Sequence, residues 1–152
     1  GFLAVSPELE AWITHKLPSG GFVLTLKLQP QVLKPAGCGL RIATDDQHAL
    51  SLCFLPGEGQ ECALFSYPTT FVDGRWSMPA AEKQTGHGPW ASYKTMEIEL
   101  TRDGASMKAR WRDAEVQKWS EAVTWQLGSR PRALSLFVHG TMLVNGVQVQ
   151  GL

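Results

Sequence analysis

Apolar and polar residues alternate along most of this chain with a period of two, which is typical of half-buried β-strands. In the segment 22–28, Phe22 and three leucines occupy every second position, and Thr25 and Lys27 lie between the leucines. Helical periodicity is almost absent, so the pattern predicts strands. Further alternating segments cover residues 40–44, 50–54, 63–67, 96–101, 107–111, 123–127, 134–138 and 143–149.

The clearest local signal is a hairpin centred on Asp103-Gly104, because alternating segments precede and follow this dipeptide. Asp-Gly is a preferred two-residue hairpin turn, since both of its residues tolerate a positive φ. The predicted hairpin places Glu97 and Glu99 near Lys108 and Arg110 on its outward face. Such cross-strand charge pairs contribute about 0.2–1 kcal/mol each. These charges therefore predict a solvated sheet face.

Strands at spacings of about 8–12 residues, with turn residues between them, predict an all-β fold. We expect a two-sheet antiparallel β-sandwich of the jelly-roll type with about 10–12 strands, although a closed barrel would give a similar alternation. A single short helix could fit at Asp113–Glu121, which contains acceptable helix formers. The segment Val72–Ser92 is rich in glycine and proline, and is predicted to be a long loop of the kind that often carries function.

The length and charge of the chain limit its organisation and its partners. With 152 residues it has the size of one domain, so residues 1–152 are predicted to form a single sandwich. Fourteen basic and fourteen acidic residues are scattered along it, which argues against nucleic acid and an anionic membrane as partners. Because the chain has neither an initiator methionine nor a signal-peptide pattern, we expect a fragment of a larger protein.

Three cysteines are too few for a disulfide scaffold, and their spacing is not that of zinc ligands. Cys53 and Cys62 flank the turn at Pro56–Gly59, and a suitable register would place them opposite each other on adjacent strands. A disulfide would then be possible if their Cα atoms lay within about 7 Å. The alternative is a pair of small buried thiols.

The order of glycines, apolar strands and acidic turns resembles the concanavalin A-like jelly rolls. The passage 36–54 looks like their glycine, apolar strand, acidic turn and second apolar strand. Residues 94–111 are similar to their late hairpin, and residues 134–149 to their closing strands. The resemblance covers roughly residues 20–150. It implies a fold with a concave sheet, as used in lectins, laminin G-like modules, accessory modules of glycoside hydrolases and some glucanases.

The sequence shows no catalytic constellation and no metal site. A glycosidase needs two carboxyl groups about 5–9.5 Å apart, and the alternate-position acidic pair on one strand is Glu97 and Glu99. This sequence departs from the glucanase pattern of acidic residues at alternate positions, because Thr101 occupies the next position on that face. Asp45-Asp46 could supply oxygen ligands to calcium, but an acidic turn is the commoner explanation. We therefore predict no cofactor, with calcium as the alternative.

Aromatic residues give the most suggestive candidate site. Six tryptophans are many for 152 residues, and an exposed aromatic face can stack on the apolar face of a sugar ring. Trp12, Trp111 and Trp125 lie in alternating segments and are predicted to anchor the core, whereas Trp119 is a weaker ligand candidate. The predicted ligand-binding residues, all in or beside the long segment, are Asp73, Arg75, Trp76, His87, Trp90 and Tyr93.

Three functional hypotheses follow from this pattern. The leading one is a non-catalytic, lectin-like carbohydrate-binding module of a secreted or extracellular protein. Its expected partner is a glycan or a neighbouring domain of the same polypeptide, and the module could be accessory to a glycoside hydrolase. The second is a structural or protein-interaction sandwich that supports a neighbouring domain. The third is a glycan hydrolase, which predicts that Glu97 and Glu99 project into a cleft.

Overall fold

The computed structural model describes residues 2–30, 38–56, 61–77, 83–89 and 95–152. This part of the chain forms eleven strands and contains no helix, so the all-β prediction is confirmed. Nothing in it has the length and apolar character of a membrane-crossing helix. The strands are β1 (Phe2–Lys16), β2 (Phe22–Pro30), β3 (Cys38–Ala43), β4 (His48–Pro56), β5 (Glu61–Val72), β6 (Arg75–Ser77), β7 (Lys83–Pro89), β8 (Met96–Asp103), β9 (Ser106–Asp113), β10 (Val123–Gln126) and β11 (Ala133–Gly151).

The strands form two antiparallel sheets that share the long strand β11. Sheet 1 has the order β10-β9-β8-β2-β11, and residues 142–151 of β11 pair with β2. Sheet 2 has the order β11-β3-β4-β5, and residues 133–138 of β11 pair with β3. Both β6 and β7 pair with β5, and β1 pairs with β11. Because the strand order is an open path, the fold is the predicted sandwich and not a closed barrel.

The inner faces of the two sheets bury the leucines, methionines and aromatic rings that the alternation assigns to the core. Phe54 of sheet 2 meets Trp111 of sheet 1 edge to face, with ring centroids 5.5 Å apart and planes at 83°. Trp111 is fully buried, as predicted. Trp125 is only half-buried against the core, and the prediction for Trp12 lies outside the described side chains.

The segment that could have formed a short helix is a turn followed by an extended stretch. The amides of Val116 and Gln117 both donate to the carbonyl of Asp113 at 3.2 Å, and Gln117 has a φ of 63°. The amide of Ser120 then donates to the carbonyl of Trp111 at 2.7 Å, and its hydroxyl accepts from the Trp111 amide at 3.0 Å. Helix propensity is overridden here because Ser120 pairs with the edge of β9.

The predicted long loop at 72–92 is largely two edge strands, so that prediction is wrong. Strand β5 runs to Val72, and Asp73 and Gly74 turn the chain into β6 with φ values of 52° and 78°. This is an Asp-Gly hairpin turn like the one predicted at residues 103–104. Strand β7 was not predicted, because it contains two glycines and its pairing with β5 shifts register, so apolar and polar residues do not alternate along it. Residues 78–82 and 90–92 lie outside the described residues.

The register between β4 and β5 rules out the disulfide that was considered as one of two alternatives for Cys53 and Cys62. Cys53 lies opposite Phe65, and Cys62 lies opposite Pro56, so the two cysteines are three register positions apart. At about 3.4 Å per residue this is about 10 Å along the strands, beyond the reach of a disulfide. Cys53 is a buried thiol.

Candidate ligand-binding face

The face of sheet 2 that is turned away from the core carries a cluster of three buried polar side chains. Arg41 on β3 lies opposite Ser51 on β4, and Thr69 follows on β5. Their neighbours along the strands, such as Leu52, point into the core, so these three residues occupy the opposite face, which we call the outer face of sheet 2. Arg41 is 4% exposed, Ser51 0% and Thr69 2%.

Ser51 is the centre of this polar cluster. Its hydroxyl oxygen accepts from Arg41 Nε at 3.3 Å and from Thr69 Oγ1 at 2.7 Å. Burying a guanidinium and two hydroxyls is costly unless they are hydrogen-bonded, and these contacts offset that cost. A hydroxyl has two lone pairs and one proton, so a Ser51 that accepts twice retains its proton for a third partner. The cluster is therefore fixed but can still donate.

An aromatic rim borders the polar cluster. Phe71 lies two residues beyond Thr69 on β5, which places it on the same face at a distance of about 7 Å along the strand. It is 40% exposed, and its amide donates to the carbonyl of Gln47 at 2.8 Å. Trp76 on β6 occupies the register position opposite Phe71. The outer face thus combines a buried polar floor with an exposed aromatic ring.

Two of the predicted ligand-binding residues occupy positions on this same face. Trp76 shares it through its pairing with Phe71. His87 lies on β7 opposite Ala63, which is an even number of residues from Thr69 along β5 and therefore on the same face. Both positions lie at the edge of the outer face, next to β5. Trp76 lies near the C-terminal end of β5 and His87 near its N-terminal end.

The other predicted residues are placed differently. Asp73 is exposed in the turn between β5 and β6. Arg75 is exposed and lies opposite Val72, so its position alternates with that of Trp76 and belongs to the other face. Trp90 and Tyr93 lie outside the described residues.

The cluster of Arg41, Ser51 and Thr69 was not identified from the sequence. The alternating segments 40–44 and 50–54 place Arg41 and Ser51 on the face away from the core, but they do not place the two side chains next to each other. Their proximity depends on the register of three strands joined by turns of different length, which no local pattern specifies. The available signal was an arginine and a serine inside otherwise apolar strands.

Sheet 1 presents a different outer face, on which charges pair across the β8–β9 hairpin. Arg110 Nε contacts Glu99 Oε1 at 2.8 Å, and Arg112 contacts Glu97 Oε2 at 3.0 Å. Both guanidinium groups also lie 4.2 Å from the ring centre of Trp119. Each carboxylate is held by an arginine, so this geometry offers no support for a pair of carboxyl groups acting on a glycosidic bond.

In the acidic turn between β3 and β4, the carboxylate of Asp45 is hydrogen-bonded by groups of the same turn. Asp45 Oδ1 accepts from the amides of Gln47 and His48 at 2.7 and 2.8 Å, and His48 Nδ1 lies 2.9 Å from Asp45 Oδ2. The Gln47 amide, together with the contacts from His48, holds the pKa of Asp45 below its usual value. Among the described residues, no group of three or more histidine, cysteine or acidic side chains is placed to hold a metal ion.

Comparison with known proteins identifies the fold. No protein-family profile and no curated protein sequence matches this chain. Among solved structures, it is similar to a legume lectin-like domain from Entamoeba histolytica, with a TM-score of 0.69 and 8% identity over 99% of this chain and 83% of that one.

Two further solved structures share the architecture. A carbohydrate-binding module from Bacillus subtilis has a TM-score of 0.59 and 13% identity over 98% of this chain and 86% of that one. A xylan β-1,4-xylosidase from Bacillus halodurans C-125 has a TM-score of 0.62 and 12% identity over 97% of this chain and 32% of that one. The chain therefore has the antiparallel β-sandwich fold that these structures share.

Proposed function

We propose that this domain is a non-catalytic carbohydrate-binding module whose ligand lies on the outer face of sheet 2. The observation that carries the proposal is the exposed ring of Phe71 beside the buried cluster of Arg41, Ser51 and Thr69, on a sheet face that takes no part in the core. The likeness to a lectin-like domain and to a carbohydrate-binding module supports the same class of ligand.

In this proposal Phe71 and the buried polar cluster contribute to binding in different ways. Phe71 supplies an aromatic platform for the apolar face of a sugar ring, and the position opposite it adds Trp76. The cluster beneath keeps the Arg41 guanidinium in one place, so that a ligand hydroxyl meets a fixed donor instead of a mobile side chain. The remaining predicted residues, His87, Trp90, Tyr93, Asp73 and Arg75, stay candidates for contacts at the edge.

We further infer that the module serves a neighbouring domain of the same polypeptide, such as a glycoside hydrolase, in a secreted or cell-surface protein. The xylosidase supports this inference, because the chain spans about a third of that enzyme. In such an arrangement the sandwich holds a glycan near a catalytic domain and performs no chemistry itself.

A glycan-array screen followed by calorimetric titration of the best glycan tests the proposal. We expect Phe71→Ala and Trp76→Ala to weaken binding by at least about 10-fold, as is usual for an aromatic anchor. Val72→Ala is the matched control, because Val72 is 51% exposed in the same hairpin but alternates to the other face. Absence of any glycan ligand, or equal affinity in all three variants, would refute the proposal.

A second candidate function is docking of a neighbouring protein domain on the β5–β6 hairpin. It is favoured by the exposed side chains of Phe71 and Val72, which are 40% and 51% exposed and lie on opposite faces of the hairpin, so that a partner enclosing the hairpin would cover both. It predicts that no glycan binds, and that Phe71→Ala and Val72→Ala both weaken binding to the neighbouring domain when that domain is added in trans.

A further inference from the structure

A cleft of about 480 Å³ lies between the two sheets, beside the turn that joins β3 and β4. Leu50 of sheet 2 lines one side, and Trp125 and Leu127 line the other. All three are half-buried hydrophobic residues that pack against the core. The volume lies within the range of about 300–1,000 Å³ that is usual for small-molecule sites. The cleft therefore has an apolar wall that is held by the core, and it is large enough for a sugar ring.

Polar groups stand at the mouth of this cleft. His48 lines it, and its Nδ1 lies 2.9 and 3.0 Å from the two carboxylate oxygens of Asp45. An ionised carboxylate accepts from Nδ1–H, and in a neutral imidazole this leaves Nε2 as an acceptor. The exposed side chains of Gln126 and Ser129 add further polar groups. A ligand hydroxyl thus finds an oriented acceptor next to an aromatic wall.

We propose that this cleft is a second binding site of the domain, and that it takes a single hydroxylated ring of the pyranose type. The apolar face of the ring packs on Trp125, and one of its hydroxyl groups donates to His48 Nε2. The inference rests on the proposed function for the class of ligand. The location of the cleft does not depend on the proposed function. Its lining residues Leu50 and Pro68 alternate with Ser51 and Thr69 and therefore belong to the other face of sheet 2.

The two sites are built for different parts of a glycan. On the outer face of sheet 2, the exposed ring of Phe71 offers a platform on which a sugar unit within a longer chain can stack. The cleft ends against the half-buried side chains of Leu50, Trp125 and Leu127, so a glycan can enter it by one end but cannot continue through it. We therefore assign the terminal ring of a glycan, or a free monosaccharide, to the cleft.

The test is a titration of the ¹⁵N-labelled domain with the methyl glycosides of glucose, galactose, mannose and xylose. The reporter is the indole N–H signal of Trp125, which a Trp125→Phe variant assigns. For a ligand of this size we expect saturable shifts with a Kd of about 1–10 mM. His48→Ala should weaken binding at least about 5-fold, because the ring hydroxyl loses its acceptor. Thr124→Ala is the control, since Thr124 is exposed on the other face of β10.

The outcomes separate this inference from the proposed function. If none of the glycosides shifts the Trp125 signal at about 50 mM, or if His48→Ala and Thr124→Ala bind alike, the inference is wrong. A Trp125 titration that Phe71→Ala leaves unchanged supports a separate site in the cleft, whatever the glycan array shows. A titration that Phe71→Ala abolishes means that the ligand lies on the outer face of sheet 2, which overturns the second site and leaves the first standing.

Discussion

Ser51→Ala is the substitution that most directly probes the buried cluster beneath the proposed binding face. It removes the one oxygen that accepts from both Arg41 Nε and Thr69 Oγ1. The side chain is completely buried, so the change creates only a small void and introduces no new polar atom. Any loss of stability therefore reports mainly the two hydrogen bonds.

The size of the effect follows from these two contacts. A neutral hydrogen bond such as Thr69 to Ser51 contributes about 1 kcal/mol, and one to a charged group contributes about 1.5–3 kcal/mol. The Arg41 contact is long at 3.3 Å, so the lower end of its range applies. We expect Ser51→Ala to lower the free energy of unfolding by about 2–3 kcal/mol. Thr69→Val, which keeps the shape and removes only one donor, should cost about 1 kcal/mol.

Urea unfolding of the two single variants and the double variant measures this coupling. The Thr69–Ser51 bond can be lost only once, so the double variant should be about 1 kcal/mol more stable than the sum of the single losses predicts. Thr101→Val on the outer face of sheet 1 is the control, and we expect a change within about 0.5 kcal/mol. If Ser51→Ala costs no more than Thr101→Val, the cluster does not stabilise the sheet and the reasoning fails.

Two further predictions concern the turns. The lowered pKa of Asp45 means that its charged form stabilises the fold above the unfolded pKa of about 3.9, and that this contribution disappears as the pH falls through the lower folded value. Asp45→Asn should therefore lower the Tm at pH 7 but approach wild type below about pH 3, and a pH-independent gap would contradict this. Gly104→Ala, at a φ of 60° with open space around it, should cost about 1 kcal/mol in urea unfolding. Gly128→Ala, where φ is not positive, should cost less.

Strand existence could be predicted from this sequence because each strand carries its own evidence. The β8–β9 hairpin was predicted from an Asp-Gly dipeptide between two alternating segments. The structure has this hairpin, but its turn lies one residue later, because Asp103 pairs with Ser106 and the turn consists of Gly104, with a φ of 60°, and Ala105. The same dipeptide type at Asp73-Gly74 makes the β5–β6 hairpin. Its arms show little alternation, which is why the segment looked like a loop.

Contacts between strands could not be predicted in this way, because a shift of register changes every partner without changing any local pattern. The supposed pairing of Cys53 with Cys62 failed by three positions for this reason. Glu97 was expected near Lys108 or Arg110, and its partner is Arg112. The buried cluster around Ser51 was missed on the same grounds, since it joins three strands.

The two outer faces hold their arginines by different means, and this difference bears on which face binds a ligand. On sheet 1, the guanidinium of Arg110 has a carboxylate at its edge and the Trp119 ring against its plane. A ligand there would have to displace an ionic contact and a stacked ring. On sheet 2, Arg41 Nε donates to the hydroxyl of Ser51, which also accepts from Thr69 Oγ1. A ligand oxygen that reaches the Arg41 guanidinium gains a charge-assisted hydrogen bond, and charged donors form the stronger hydrogen bonds. We therefore propose the glycan site on sheet 2, where the exposed ring of Phe71 lies beside the cluster, and not on sheet 1, where a ligand would have to displace the contacts of Arg110.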